Sequence, residues 1–203
     1  MKLMKDLITQ PLLAALLLLV AACGDTEKTA VVKQADSVQQ KKDQFVFYKD
    51  LSIRPGINFE VVSWGKGVDS VGGYLILMSD SLRNNYRSLS NERKGIITDA
   101  WNLDMDNDGN PEIYIELLSK TNVLDLNVYE YSGGSFNKIT FPGLSSSQKK
   151  NYAGNDKFVI KDGDLYRTFP IVNPEDSSGK AGNLKTIRYR FSGNSFSSSV
   201  VEE

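Results

Sequence analysis

The chain has 203 residues, with 24 Lys or Arg against 25 Asp or Glu, one cysteine and no histidine. The length suits a single domain with a sizeable core, and a net charge of −1 without a basic, aromatic-interleaved patch argues against a nucleic-acid partner. The lack of histidine removes Ser-His-Asp and Cys-His nucleophiles and the usual His/Cys zinc sites; hydrolysis by two carboxylates or by a bound metal stays open.

In chain order, Lys2 and Lys5 precede an apolar run from Pro11 to Val20, then Ala21-Ala22-Cys23-Gly24. The run is too short to span a bilayer, so residues 1–22 read as a secretory signal peptide with a small-residue cleavage site. Val20-Ala21-Ala22-Cys23 resembles a bacterial lipobox. That resemblance implies a lipidated Cys23 as the first mature residue, and Cys23 is the chain's only cysteine. Residues 23–44 are polar and carry no aromatic residue. They suit a flexible tether spanning roughly 25 Å as a random coil, with a short helix from Val32 to Lys42 as the alternative.

From Phe45 to the C-terminus, short apolar runs alternate with turn signals, as expected of one all-β domain. Ten strands are predicted: Phe45–Tyr48, Asn58–Ser63, Gly73–Ser79, Gly95–Leu103, Glu112–Leu118, Leu124–Tyr131, Ser135–Thr140, Lys157–Ile160, Asp164–Pro170 and Lys185–Ser192. Period-two alternation places Leu126, Val128 and Glu130 on one face. Ser132-Gly133-Gly134, Lys161-Asp162-Gly163 and Ser192-Gly193-Asn194 mark hairpins. The expected fold is an antiparallel β-sandwich or partly closed barrel of two layers. One short helix is expected at Ser145–Tyr152, capped by Ser145 or Ser146 and ended by Gly154. Trp64 and Trp101 read as core anchors. Arg167 reads as one half of a structural ion pair, an acid of the Asp104 loop being a candidate for the other half, with contact to a binding partner as the alternative. The Ser197-Ser198-Ser199 run reads as tail. The Asn173–Asn183 loop is expected to be exposed.

The densest chemical signal is Asp104-Met105-Asp106-Asn107-Asp108-Gly109-Asn110-Pro111-Glu112. Carboxylates at alternate positions, a glycine for a tight turn and a further carboxylate can supply the oxygens that a hard cation such as calcium needs. The expected ligands are Asp104, Asp106, Asp108, Glu112 and the carbonyl of Asn110, holding a structural calcium ion. A metal-free Asx turn is the alternative. An EF-hand is excluded: counting from Asp104, position twelve is Ile115 where a Glu is required, and the following residues read as a strand.

Three blocks resemble the periplasmic inhibitors of invertebrate-type lysozyme, small secreted or lipid-anchored β-sandwich proteins. They are Ile97-Thr98-Asp99-Ala100-Trp101 leading into Asp104–Glu112; Tyr152-Ala153-Gly154-Asn155-Asp156 with Phe158-Val159; and Leu165-Tyr166-Arg167-Thr168-Phe169-Pro170 followed by Lys185–Arg190. The resemblance covers roughly residues 45–192. It implies a protein partner, a lysozyme, engaged by the loop after the acidic segment. The matching residues here are Ser119, Lys120, Thr121 and Asn122. The family's Ser-Gly-x-x-Tyr pattern is reduced to its serine, which implies weak or no inhibition.

The expected protein is therefore a binding protein of the bacterial cell envelope, not an enzyme, held to the membrane through Cys23. The alternatives are a carboxylate- or metal-dependent hydrolase of envelope glycans and a structural scaffold.

Overall fold

The computed structural model describes residues 45–120, 122–172 and 181–201. The expected signal peptide, Cys23 and tether, Thr121, and most of the Asn173–Asn183 loop lie outside the described residues.

Twelve strands among the described residues form three antiparallel sheets, each a four-strand meander in chain order. The first sheet holds β1 (Phe47–Arg54), β2 (Ile57–Trp64), β3 (Gly73–Asp80) and β4 (Asn85–Glu92). The second holds β5 (Ile96–Leu103), β6 (Glu112–Leu118), β7 (Leu124–Ser132) and β8 (Ser135–Ile139). The third holds β9 (Lys157–Lys161), β10 (Asp164–Val172), β11 (Ala181–Ser192) and β12 (Ser195–Val201).

The all-β, antiparallel class is as expected, but there are three sheets rather than two layers, and none closes into a barrel. The second sheet explains the difference, because both of its faces are apolar. On β6, Ile113, Ile115 and Leu117 join a core with Phe59, Val61, Tyr74 and Ile76 of the first sheet. Tyr114 points the other way and, with Leu126 and Val128, joins Leu165, Phe169, Ile187 and Tyr189 of the third. Successive side chains on a strand alternate faces, so the near-continuous apolar run of β6 is what a strand covered on both sides requires. Each fully buried isoleucine contributes about 1.5–3 kcal/mol relative to exposure.

The hairpin signals hold. Gly133 and Gly134 (φ 57° and 79°), Asp162 and Gly163 (52° and 79°), and Gly193 and Asn194 (54° and 60°) all turn through positive φ, the backbone of a type I′ turn that matches strand twist.

The helix expected at Ser145–Tyr152 is absent; residues 146–151 form turns. Its N-terminal signal is present: the Gln148 amide donates to Ser145 Oγ (3.3 Å), and the Ser145 amide to Gln148 Oε1 (2.8 Å), a capping box. The turn cannot propagate because Asn151 takes φ 61° and the chain then pairs with β10. There Val172 N donates to Asn151 O (2.8 Å) and Ala153 N to Pro170 O (3.1 Å).

Candidate metal centre

The β5–β6 hairpin carries the acidic loop. Leu103 and Glu112 form its last register pair, so the loop starts and ends on adjacent strands. Asn107 (φ 57°) and Gly109 (φ 84°) fold it back. The Gly109 amide donates to Asp104 Oδ2 (3.0 Å), the Asn110 amide to Asp108 Oδ1 (2.8 Å), and Met105 N to Glu112 Oε2 (2.9 Å). Arg54, at the end of β1, donates from Nη1 to the Gly109 carbonyl (3.2 Å).

This folding gathers Asp104, Asp106, Asp108 and Glu112, each offering one carboxylate oxygen within 4.8 Å of the others. The four acids predicted as ligands therefore converge. Asn110 stands beside them, and its side-chain amide donates to Asp108 Oδ2 (2.8 Å). Ile115 is fully buried in the core of β6, in keeping with a loop that is not an EF-hand.

The electrostatics are unbalanced. Glu112 is fully buried, and its Oε1 has no hydrogen-bond partner, nor has the buried Oδ1 of Asp106. Burial pushes the Glu112 carboxyl up to about 7; the Met105 amide opposes this, and the charges of Asp106, Asp104 and Asp108 add to it. Asp106 is raised too, first by burial and then by Asp108. A buried acceptor without a donor costs about 1–3 kcal/mol or more when charged, and like charges this close oppose one another. A divalent cation relieves both effects.

Beneath the loop, Tyr114 donates to Met105 Sδ (3.0 Å) and stacks on Trp101 with ring centroids 5.6 Å apart. Trp101 thus packs as expected. Trp64 does not: it is 41% exposed at the end of β2, and its ring lies against Gly73, its register partner, in space that a side chain there would fill.

Of the predicted binding residues, Ser119, Lys120 and Asn122 lie between β6 and β7. Ser119 Oγ accepts from Val123 N (3.3 Å), and Ser119 N donates to Val123 O (2.9 Å). Asn122 sits at φ 59° and is joined to Asn155, which receives its side-chain amide (3.1 Å) and donates its own backbone amide to Asn122 O (3.3 Å). Lys120 is exposed and pairs with Asp69.

Arg167 is paired, though its acid is Asp156 rather than one from the Asp104 loop. Its Nε meets Asp156 Oδ1 at 2.7 Å and its Nη2 donates to Leu124 O at 2.7 Å, with the guanidinium 5.4 Å from the Phe158 ring centre. Asp156 also accepts from Leu124 N (3.2 Å) and from the Tyr152 hydroxyl. A cavity of about 320 Å³ lies alongside, lined by Val123, Leu124, Leu144, Tyr152 and Arg167 among others.

Sequence reasoning passed over one further acid. Glu130 on β7 is directly opposite Glu112, is 3% exposed and has an unpartnered Oε2. The available signal was an acid in the apolar stripe of Leu126 and Val128.

No protein-family model matches the chain, and no curated protein matches it.

Proposed function

We propose that this chain is a lipid-anchored binding protein of the bacterial cell envelope, not an enzyme, whose acidic loop holds one structural calcium ion. The observation that carries the calcium reading is Glu112: a fully buried carboxylate, one oxygen unpartnered, grouped with three more acids. Four protein carboxylates converging on one point suit the larger ion, because magnesium keeps several waters and takes only one or two carboxylates. The carbonyl of Asn110 and water would complete its shell. Such an ion clamps β5 to β6, so it acts on stability. The test is thermal unfolding of the intact protein with calcium and with excess chelator. At calcium ~100 times the dissociation constant the ion adds about 2.7 kcal/mol. An unchanged midpoint, with no heat of binding, leaves a metal-free turn.

The anchoring part rests on the lipobox-like residues before Cys23. Fatty-acid label should disappear in Cys23→Ser; label retained there would reject the anchor. Lysozyme binding is the narrower reading. What favours it is that Ser119 and Asn122 are held by hydrogen bonds to Val123 and Asn155, so that little of their ordering is lost on docking. Because the turn has neither the glycine nor the tyrosine of the family it resembles, a lysis assay should show weak or no inhibition of invertebrate-type lysozyme. Nanomolar inhibition would reverse that expectation.

A further inference from the structure

We propose that Glu130 is a fifth acidic residue of the ion site, acting through a water bound to the ion rather than by direct ligation. The proposal rests on the calcium reading above. Glu130 and Glu112 are register partners on β7 and β6, and such neighbours carry their Cβ atoms about 4.5–5.5 Å apart on one face. Both side chains are buried, and each keeps one oxygen without a partner, Oε1 of Glu112 and Oε2 of Glu130.

The Glu130 carboxylate is also held in orientation. Its Oε1 accepts from Ser132 Oγ (2.5 Å), and that hydroxyl accepts from Asn137 Nδ2 (3.0 Å). Its free oxygen is therefore fixed rather than swinging between solvent and protein. Glu130 does not belong to the four acids whose oxygens converge within 4.8 Å, so it stands one step outside them.

An ion with six to eight oxygen ligands takes some of them from water. Water on a cation is a strong donor and needs acceptors, and an ionised carboxylate oxygen is the strongest acceptor a protein offers. Oε2 of Glu130 is such an acceptor: buried, unpartnered and beside Glu112. Outer carboxylates of this kind orient a metal site's inner ligands.

The experiment compares the intact protein with Glu130→Gln, which keeps the shape and removes the charge. Calcium affinity is read by calorimetry. Terbium luminescence lifetimes in H2O and D2O count the waters on the ion. Glu130→Gln should weaken calcium binding roughly 10-fold and leave the water count unchanged. It should also raise the metal-free unfolding midpoint, because a neutral amide beside Glu112 cannot add to the crowding of carboxylates there. Ser132→Ala, which frees the carboxylate to turn, should weaken binding by less. Equal affinity in wild type and Glu130→Gln overturns the proposal. A water count higher in the variant overturns it in favour of direct ligation. A wild type that binds neither ion overturns the calcium reading itself, and this proposal with it.

Discussion

The Arg167–Asp156 pair and the Asp104–Glu112 loop both bury charge in the same molecule, but the first contains its own counter-ion and the second does not. Around Arg167, the Asp156 carboxylate accepts from the guanidinium, a backbone amide and a tyrosine hydroxyl. Burial works against the guanidinium's charge, but Asp156 and then Tyr189 together outweigh it, and the Arg167 pKa is raised. In the acidic loop no Lys or Arg side chain reaches a carboxylate among the described contacts; Arg54 meets a carbonyl instead. Oxygens of Asp106 and Glu112 stay unpartnered there, and burial first and neighbouring carboxylates next raise the pKa values of these two. The difference separates a cluster that carries its own counter-ion from one that carries none among the described residues.

The largest effect expected from this contrast is at Arg167. Arg167→Met leaves Asp156 buried without a counter-ion and should cost about 3–5 kcal/mol in denaturant unfolding. Combining it with Asp156→Leu should recover most of that loss, because a matched apolar pair is often no worse than a buried ion pair. A double variant as unstable as the single one would mean that the pair's other hydrogen bonds, to Leu124 and Tyr152, dominate.

A smaller effect should distinguish the loop by its response to pH. The folded pKa of Glu112, about 7, lies above its ordinary 4.5. Between those values the folded state binds the extra proton, so metal-free stability is full below about 4.5 and falls as pH rises through about 7. With calcium the sign reverses, because ligation needs the ionised carboxylate and tightens as the proton leaves. Glu112→Gln should flatten the metal-free profile over this range in unfolding midpoints measured in chelator. A profile that still falls as steeply in Glu112→Gln would assign the proton to another group.

The sequence carried the fold class and most strands because burial writes alternation into them. β6 came out with its observed bounds, Glu112–Leu118, since both of its faces meet a core. β4 and β12 were not foreseen. Both end their sheets, and their residues, Asn85-Tyr-Arg-Ser-Leu-Ser-Asn-Glu92 and Ser195-Phe-Ser-Ser-Ser-Val-Val201, are largely exposed. Main-chain pairing to an inner neighbour holds such edges, and polar side chains there discourage pairing with other chains. The third layer was missed because alternation tells which residues are covered, not which sheet covers them. The four converging acids were legible because they lie in one short loop. Glu130 comes opposite Glu112 only through the β6–β7 register, and Arg167 meets Asp156 only after β9 and β10 pair.

The three meanders also bear on how the chain reaches its native state. Every strand pairs with its immediate predecessor or successor, so each sheet closes only short loops, and the entropy of closure stays small. The hydrogen-bonded ladders are thus local in sequence, a trait that speeds folding. What remains non-local is docking. The central sheet supplies Ile113 and Ile115 to one core and Tyr114 and Val128 to the other, so neither outer sheet can bury its apolar face before the middle one exists. In the native state residues 96–139 thus serve both outer segments, and substitutions there that thin the middle sheet weaken both cores at once.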